Sequence, residues 1–166
     1  AAGYNCPVAK AVVKDSFSEE MVDNMHYCGG YREYWRNVKG CEGGVGDIEI
    51  HFVDSVVPGY FWIFPVNDDV ANVGIGMVIG LLKKEKKKLK ALQKDVIETH
   101  PLFKERFADA EMLEGSGKGW QLPFGSPRKK EANQPRRASM RGIRLVGDSA
   151  SLVDPFSGEG VGLSLI

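Results

Sequence analysis

The chain has 166 residues, of which 43% are hydrophobic and 27% are charged, a composition typical of a globular protein with a buried core. Its 22 basic and 22 acidic residues cancel, and a neutral chain lacks the basic footprint that usually marks a nucleic-acid-binding domain. These numbers exclude a disordered or fibrous chain and predict no nucleic-acid partner.

The cysteines and histidines are few and lie in unrelated segments. Their spacing forms neither a disulfide framework nor a metal-ligand pair, so we predict free thiols, no metal site and a cytoplasmic location. These residues are Cys6, Cys28, Cys41, His26, His51 and His100. The longest apolar stretch, residues 73–82, is shorter than the roughly 20 residues of a membrane-spanning helix. The sequence is compatible with peripheral contact with a membrane.

Neither end of the sequence resembles a natural terminus. Ala1 is not an initiator Met and begins no signal pattern, and Ile166 ends an apolar run that has no helix stop signal. We therefore predict that the chain is a piece of a longer protein, cut at both ends.

In chain order, the first predicted element is a helix that begins near Ser16, with Ser18 as its N-cap and Glu19 and Glu20 in its first turn. An extended segment from about Tyr31 follows, among glycines that punctuate the chain. Three strands come next, the first of which alternates apolar and polar side chains and places Ile48, Ile50 and Phe52 on one face. Turn residues separate the strands and predict an antiparallel meander. The three predicted strands are residues 48–52, 60–66 and 70–78.

A helical period replaces the alternation over residues 81–99, and Pro101 limits this helix. Seven lysines fill its outer face, which is either a solvated surface, the simpler interpretation, or a patch for anionic membranes or phosphates. Residues 111–124 are predicted to be extended, 125–137 to be a loop, and 143–146 to be a strand. The predicted fold class is α+β, a largely antiparallel sheet with flanking helices.

A glycine-rich segment after that last strand is a candidate cofactor site. Asp148 could accept a hydrogen bond from a ribityl or sugar hydroxyl, and glycines let backbone amides approach a flat ring. The residues concerned are Gly147, Asp148, Pro155, Gly158, Glu159 and Gly160. A plain strand-to-helix turn capped by Asp148 is the alternative. A hydrolase nucleophile elbow at Ser149 is a weaker one, because Ser151 stands where that motif needs glycine and no His follows.

The second candidate site is aromatic. On a strand Tyr60, Trp62 and Phe64 share one face, and Gly74 and Gly76 would leave open space on the neighbouring strand, which describes a slot for a long or flat molecule. A packed core face is the simpler explanation of the same pattern.

Together these motifs resemble the geranylgeranyl reductase family, flavoproteins with the p-hydroxybenzoate hydroxylase type of fold. Residues 60–76, from Tyr60 through Pro65 to Gly76, match the family pattern Y-x-W-x-F-P-x(7,8)-G-x-G. The segment from Gly147 to Gly160 is similar to the second FAD-binding motif of the family. Residues 2–10 are similar to its D-G-x-x-S-x-V-R stretch, with Ala2 in place of Asp and Cys6 in place of Ser.

The resemblance implies three parts: residues 1–10 as the edge of an FAD-binding domain, 11–138 as a substrate-binding domain, and 139–166 as the returning FAD segment. It implies reduction of prenyl carbon–carbon double bonds with FAD, with Tyr60, Trp62, Phe64, Pro65, Gly74 and Gly76 binding an isoprenoid or other apolar substrate. The electron donor is not indicated. The alternatives are a flavin-dependent monooxygenase or halogenase, or a lipid-binding module without activity.

The G-x-G-x-x-G turn that holds the FAD pyrophosphate in such proteins does not occur in this sequence. We therefore expect the 166-residue chain on its own to be inactive and to purify without FAD, as a colourless protein. Its absorption spectrum tests this expectation, and a stoichiometric flavin band would contradict it.

Overall fold

The structure is a computed structural model that describes residues 3–18, 24–44, 46–125 and 137–165. The chain divides into two compact units. The central unit is Gly29–Trp120, and the terminal unit combines Ala1–Cys28 with Gln121–Ile166. The predicted three-part division has the same order along the chain but places its boundaries after residues 10 and 138. The assignment of these parts to FAD and substrate binding stays a prediction.

The main sheet has six strands in the order β2-β3-β4-β1-β5, with β6 also paired to β1. The strands are β1 (Tyr27–Arg36), β2 (Glu49–His51), β3 (Tyr60–Asn67), β4 (Val70–Val78), β5 (Glu111–Met112) and β6 (Lys118–Pro123).

The predicted meander is confirmed, because β2, β3 and β4 pair consecutively and antiparallel. Ile50 lies opposite Trp62, and Trp62 lies opposite Gly74, so these residues share one face of the sheet. The mixed, largely antiparallel architecture is that of the predicted fold class.

Helices cover the other face of the sheet in the central unit. They are α2 (Ile79–Lys84), α3 (Leu89–Thr99) and α4 (Pro101–Arg106). The single helix predicted over residues 81–99 is therefore wrong, since Lys86 adopts a left-handed conformation with φ 54° and separates α2 from α3. As predicted, Pro101 marks the end of the helix before it.

The core of the central unit lies between this face and the helices. Its sheet side is Phe61, Ile63, Val73, Ile75 and Met77, and its helical side is Leu92, Val96, Ile97, Phe103 and Phe107. Gly29 lies inside β1, where an added Cβ would come 3.2 Å from Leu89 Cδ1. This glycine lets helix and sheet approach closely, whereas the sequence pattern predicted only a break there.

The terminal unit begins with α1 (Pro7–Ala11), which continues as a π-helical turn to Ser16. The Cys6 sulfur caps α1 by accepting from the Ala9 amide at 3.4 Å, the role that serine has at such positions. The predicted helix start near Ser16 is wrong, because Ser16 ends the helix that begins at Pro7. Glu19 and Glu20 lie outside the described residues, as does most of the predicted loop 125–137.

The later elements described in the terminal unit are short. They are β7 (Ser139–Met140) paired with β8 (Ile143–Arg144), a 3₁₀ turn over Gly147–Ala150, and α5 (Val161–Ser164). Within the described ranges, every helix is too short or too polar to cross a membrane.

An ion pair joins the edge strand to the helical layer. Arg106 at the end of α4 binds Glu49 of β2 with both terminal nitrogens, one at 2.8 Å from Oε1, and donates to the Lys39 carbonyl at 2.8 Å. His51 adds a contact of 2.9 Å to Glu49. The hydrogen bonds from Arg106 lower the pKa of Glu49 despite its partial burial. β2 is therefore held by charge as well as by the sheet ladder.

Replacing Arg106 by Gln should lower the free energy of unfolding by about 1–3 kcal/mol at neutral pH, because it leaves a half-buried carboxylate without its cation. Since the folded pKa of Glu49 is lowered, the ion pair stabilises the fold above the usual carboxyl pKa and is lost as the pH falls through the folded value. The difference between the variant and the unsubstituted chain should therefore shrink in acid. Urea unfolding at pH 7 and pH 3 measures it.

Arg36→Gln is the matched control, because Arg36 pairs with Asp69 at 3.3 Å and both side chains are half exposed. Its effect should stay below about 0.5 kcal/mol. Equal losses in the two variants, or a difference for Arg106 that does not depend on pH, would contradict the assignment.

Candidate functional site

The sheet face away from the helices carries the predicted aromatic residues. Tyr60, Trp62 and Phe64 are all partly exposed there, with ring centroids 5.9 Å apart for the first pair and 6.1 Å for the second. The intervening Phe61 and Ile63 are fully buried under the helices. The three rings therefore form a partly exposed surface of the central unit and are not part of its buried core.

The neighbouring edge strand extends this surface. Ile50 is 46% exposed and Phe52 is 67% exposed, with the Phe52 ring 6.3 Å from Tyr60. Glu49 and His51 point to the helical side, where His51 contacts Phe103 edge-on at 4.9 Å. The apolar side chains of β2 thus belong to the open face, and the polar ones are turned inward by Arg106. We call Ile50, Phe52, Tyr60, Trp62 and Phe64 the aromatic face.

Trp62 occupies the centre of the aromatic face and lies flat over glycine. A Cβ built on Gly74 would be 2.1 Å from Trp62 Cζ2, and one built on Gly30 would be 3.9 Å from Trp62 Cη2. The indole Nε1 donates to Asn72 Oδ1 at 3.0 Å. The side-chain amide of Asn72 and the missing Cβ of Gly74 together determine where the ring lies.

The prediction of open space beside Gly74 is therefore wrong, because the Trp62 ring fills that space. Gly76 is less constrained, since an added Cβ there would meet its nearest atoms at 3.7 Å. Pro65 has the strand parity of Phe61 and Ile63 and lies against the Gly46 backbone, off the aromatic face. Sequence reasoning missed Asn72, although a polar residue two positions before the glycine pair was a usable signal.

The terminal unit contains a cavity of about 380 Å³ lined by Asp148 and two of the predicted glycines, Gly147 and Gly160. Gly160 packs against Asp148, since a Cβ there would lie 3.4 Å from Oδ1. Among the described residues the Asp148 carboxylate has no hydrogen-bond partner, and burial raises its pKa. The lining residues that sequence reasoning did not identify are Gly3, Leu122, Val153, Val161 and Ser164.

The other three predicted cofactor residues shape the loop beside the cavity without lining it. The Gly158 amide donates to the Asp154 carbonyl at 2.9 Å, with φ 72° at Gly158. Glu159 accepts from the Gly162 amide at 2.7 Å through Oε1. Pro155 is exposed within the same turn. These bonds hold the loop so that Gly160 reaches Asp148.

The nucleophile-elbow alternative is wrong. Ser149 is 4% exposed, and its hydroxyl donates to the Val146 carbonyl at 2.6 Å. The strand is followed by a 3₁₀ turn and not by a long helix with free amides. Cys28 is also buried in this unit, and desolvation raises its pKa to about 11, so its thiol is protonated at neutral pH.

Solved structures with this architecture include a reductase-like protein and flavin-dependent enzymes. A geranylgeranyl bacteriochlorophyll reductase-like protein from Thermoplasma acidophilum superposes with a TM-score of 0.64 at 23% identity, over 87% of this chain and 32% of its own. A flavin-dependent brominase superposes with a TM-score of 0.65 at 18% identity, over 99% of this chain and 39% of its own. The fold is that of the p-hydroxybenzoate hydroxylase class of FAD-dependent proteins.

The family model of the geranylgeranyl reductase catalytic domain matches residues 28–117, which include the whole aromatic face. The chain belongs to the geranylgeranyl reductase family, as its motifs predicted. A digeranylgeranylglycerophospholipid reductase from Thermoplasma volcanium is 33% identical over 116 residues, 69% of this chain and 26% of that protein. The chain thus spans about a quarter of the length of this curated relative.

Gly74→Ala should displace the Trp62 ring, because a methyl group 2.1 Å from Cζ2 cannot be accommodated and the contact atom belongs to a rigid ring. We expect a loss of about 1–3 kcal/mol in unfolding free energy and a red shift of Trp62 emission. The shift is measured with Trp35 and Trp120 replaced by Phe, so that Trp62 alone emits.

Gly76→Ala is the matched control, since its methyl group would make only ordinary contacts. An unshifted spectrum in Gly74→Ala, or the same shift in both variants, would show that Gly74 does not hold the ring in place.

Proposed function

We propose that this chain is the prenyl-binding part of an FAD-dependent oxidoreductase that reduces carbon–carbon double bonds of geranylgeranyl lipids. The observation that carries the proposal is the partly exposed aromatic face, with Trp62 held flat over Gly74 inside the region that matches the catalytic domain. An isoprenoid is the substrate class that such a surface suits.

The aromatic face suits a prenyl chain for physical reasons. A run of rings and branched aliphatic side chains offers dispersion contacts along its length and few hydrogen-bond partners, which matches a branched hydrocarbon. A polar substrate would leave its own groups without partners there. Because Asn72 and Gly74 hold Trp62, its ring can set the height of the chain above the sheet without rearranging first.

The terminal cavity fits part of FAD. A half-buried carboxylate with no hydrogen-bond partner among the described residues is an acceptor for a sugar-alcohol hydroxyl, and Gly147 and Gly160 leave the backbone accessible beside it. In this proposal Asp148 binds the ribityl chain. Gly147 and Gly160 have no side chain to block the cofactor, so it can lie close to the backbone there.

When bound and reduced, FAD would supply the hydride that, together with a proton, converts the double bond to a single bond. The contribution of this chain is binding and orientation: Trp62 positions the prenyl chain and excludes water from it, and Asp148 holds the cofactor. Cys28 is unsuited to act as a nucleophile, because burial keeps its thiol protonated at neutral pH.

A halogenase or monooxygenase activity remains the enzymatic alternative, because the brominase shares the fold and fold alone does not determine chemistry. A lipid-binding module without activity is the second alternative. The reduced flavin of the full-length protein distinguishes these functions. In a prenyl reductase it is oxidised by a prenyl lipid without oxygen, whereas in a halogenase or monooxygenase its oxidation requires oxygen. A lipid-binding module holds no flavin.

In the full-length protein, Trp62→Ala should slow anaerobic single-turnover oxidation of the prereduced enzyme by a geranylgeranyl lipid at least about tenfold, while the flavin content stays near that of the unsubstituted enzyme. Asp148→Ala should lower FAD retention first, because a hydrogen bond to a charged acceptor contributes about 1.5–3 kcal/mol. Flavin-to-protein ratio and single-turnover rate, measured for both variants, separate the two roles.

Asp95→Ala, which removes one exposed carboxylate on α3, is the control for Asp148 and should change neither quantity. Unchanged turnover in Trp62→Ala would remove the substrate role of the aromatic face. Full FAD content in Asp148→Ala would remove the cofactor role of the terminal cavity.

A further inference from the structure

A second cavity lies on the helical side of the sheet, away from the aromatic face. It has a volume of about 550 Å³, within the usual range of small-molecule sites, and it opens between α3 and the strands β1 and β5. Its apolar lining is Trp35, Ala91, Ile97 and Met112. Neither the proposed reduction nor the proposed FAD site uses this cavity.

Three exposed lysines complete the lining, namely Lys88, Lys90 and Lys94. They belong to a strongly basic segment, since residues 83–94 contain seven lysines and one glutamate in a chain whose net charge is zero. Lys94 pairs with Glu98 at 3.6 Å. Lys88 and Lys90 have no ion-pair partner among the described residues, so two cations at the cavity are available for an anion.

The acidic groups at the cavity are engaged with other partners. Glu33 is 7% exposed, and its two oxygens accept from the Tyr31 hydroxyl at 2.7 Å and from Gln93 Nε2 at 3.2 Å. Glu98, the other acidic residue of the lining, is the partner of Lys94. The lining therefore has three cations and two carboxylates, a net charge of +1.

Trp35 is the largest apolar side chain of the lining. Its indole N–H is shielded from solvent, so a molecule in the open cavity contacts the ring and not this donor.

We propose that this cavity binds an anionic amphiphile, a molecule with an apolar chain and one anionic head group such as a fatty acid. The chain lies against Trp35, Ile97 and Met112, and the head group binds Lys88 and Lys90. Because this site is on the helical side of the sheet, it is independent of the prenyl-binding role proposed for the aromatic face.

The test uses the full 166-residue chain and oleate below its aggregation concentration. Calorimetry on the unsubstituted chain should show saturable binding, and Trp35 emission should change over the same concentrations when Trp62 and Trp120 are replaced by Phe. Oleyl alcohol, which has the same chain without the charge, should bind about tenfold more weakly, and acetate should not bind.

Charge variants locate the head group. Lys88→Gln, Lys90→Gln and Lys94→Gln combined should weaken oleate binding about tenfold. Lys83→Gln, Lys84→Gln and Lys86→Gln remove the same charge from outside the cavity lining and should leave binding unchanged. Ala91→Phe should abolish binding by filling the cavity from an exposed position on α3.

Three results would overturn the proposal: no saturable oleate binding, equal losses in the two triple variants, or oleyl alcohol binding as tightly as oleate. Vesicles of phosphatidylglycerol separate the cavity from a membrane surface. Binding to these vesicles without binding of monomeric oleate would assign the lysines to bilayer attraction and would reject the cavity site.

Discussion

The open face of this sheet depends on one contact, the Trp62 ring lying on the bare backbone of Gly74. No residue with a Cβ fits beneath the ring at 2.1 Å, so the glycine is a packing requirement and not a source of flexibility. The hydrogen bond to Asn72 then fixes the indole in its plane. Tyr60 and Phe64 stand on either side at about equal distances, which makes the strand a continuous aromatic surface.

The two faces of the sheet have opposite relations to the helices. Phe61, Ile63 and Ile75 are fully buried by α3 and α4, so hydrophobic burial stabilises that side. The edge strand inverts the usual arrangement, because Glu49 and His51 face inward and the ion pair with Arg106 stabilises them there. The apolar side chains on the outer face are therefore exposed to solvent and available to bind an apolar ligand.

The terminal unit uses a different physical device, a loop closed by its own hydrogen bonds. Asp154 accepts from the amides of Phe156 and Ser157 at 2.9 and 2.6 Å, and Glu159 holds the start of α5. The loop thereby brings Gly160 to Asp148, whose carboxylate has no hydrogen-bond partner within the described ranges. Of the six residues predicted to contact a cofactor, three line the cavity and three build the loop that forms it.

The sequence by itself determined the family, the meander and the shared face of Tyr60, Trp62 and Phe64, because strand parity and turn residues are local properties. Tertiary structure alone decided what fills the space over Gly74, since that depends on the register between two strands. It also decided which side of β2 is buried, because Arg106 lies 57 residues from Glu49. The cavity beside Trp35 likewise arises from packing between elements, which no local pattern encodes.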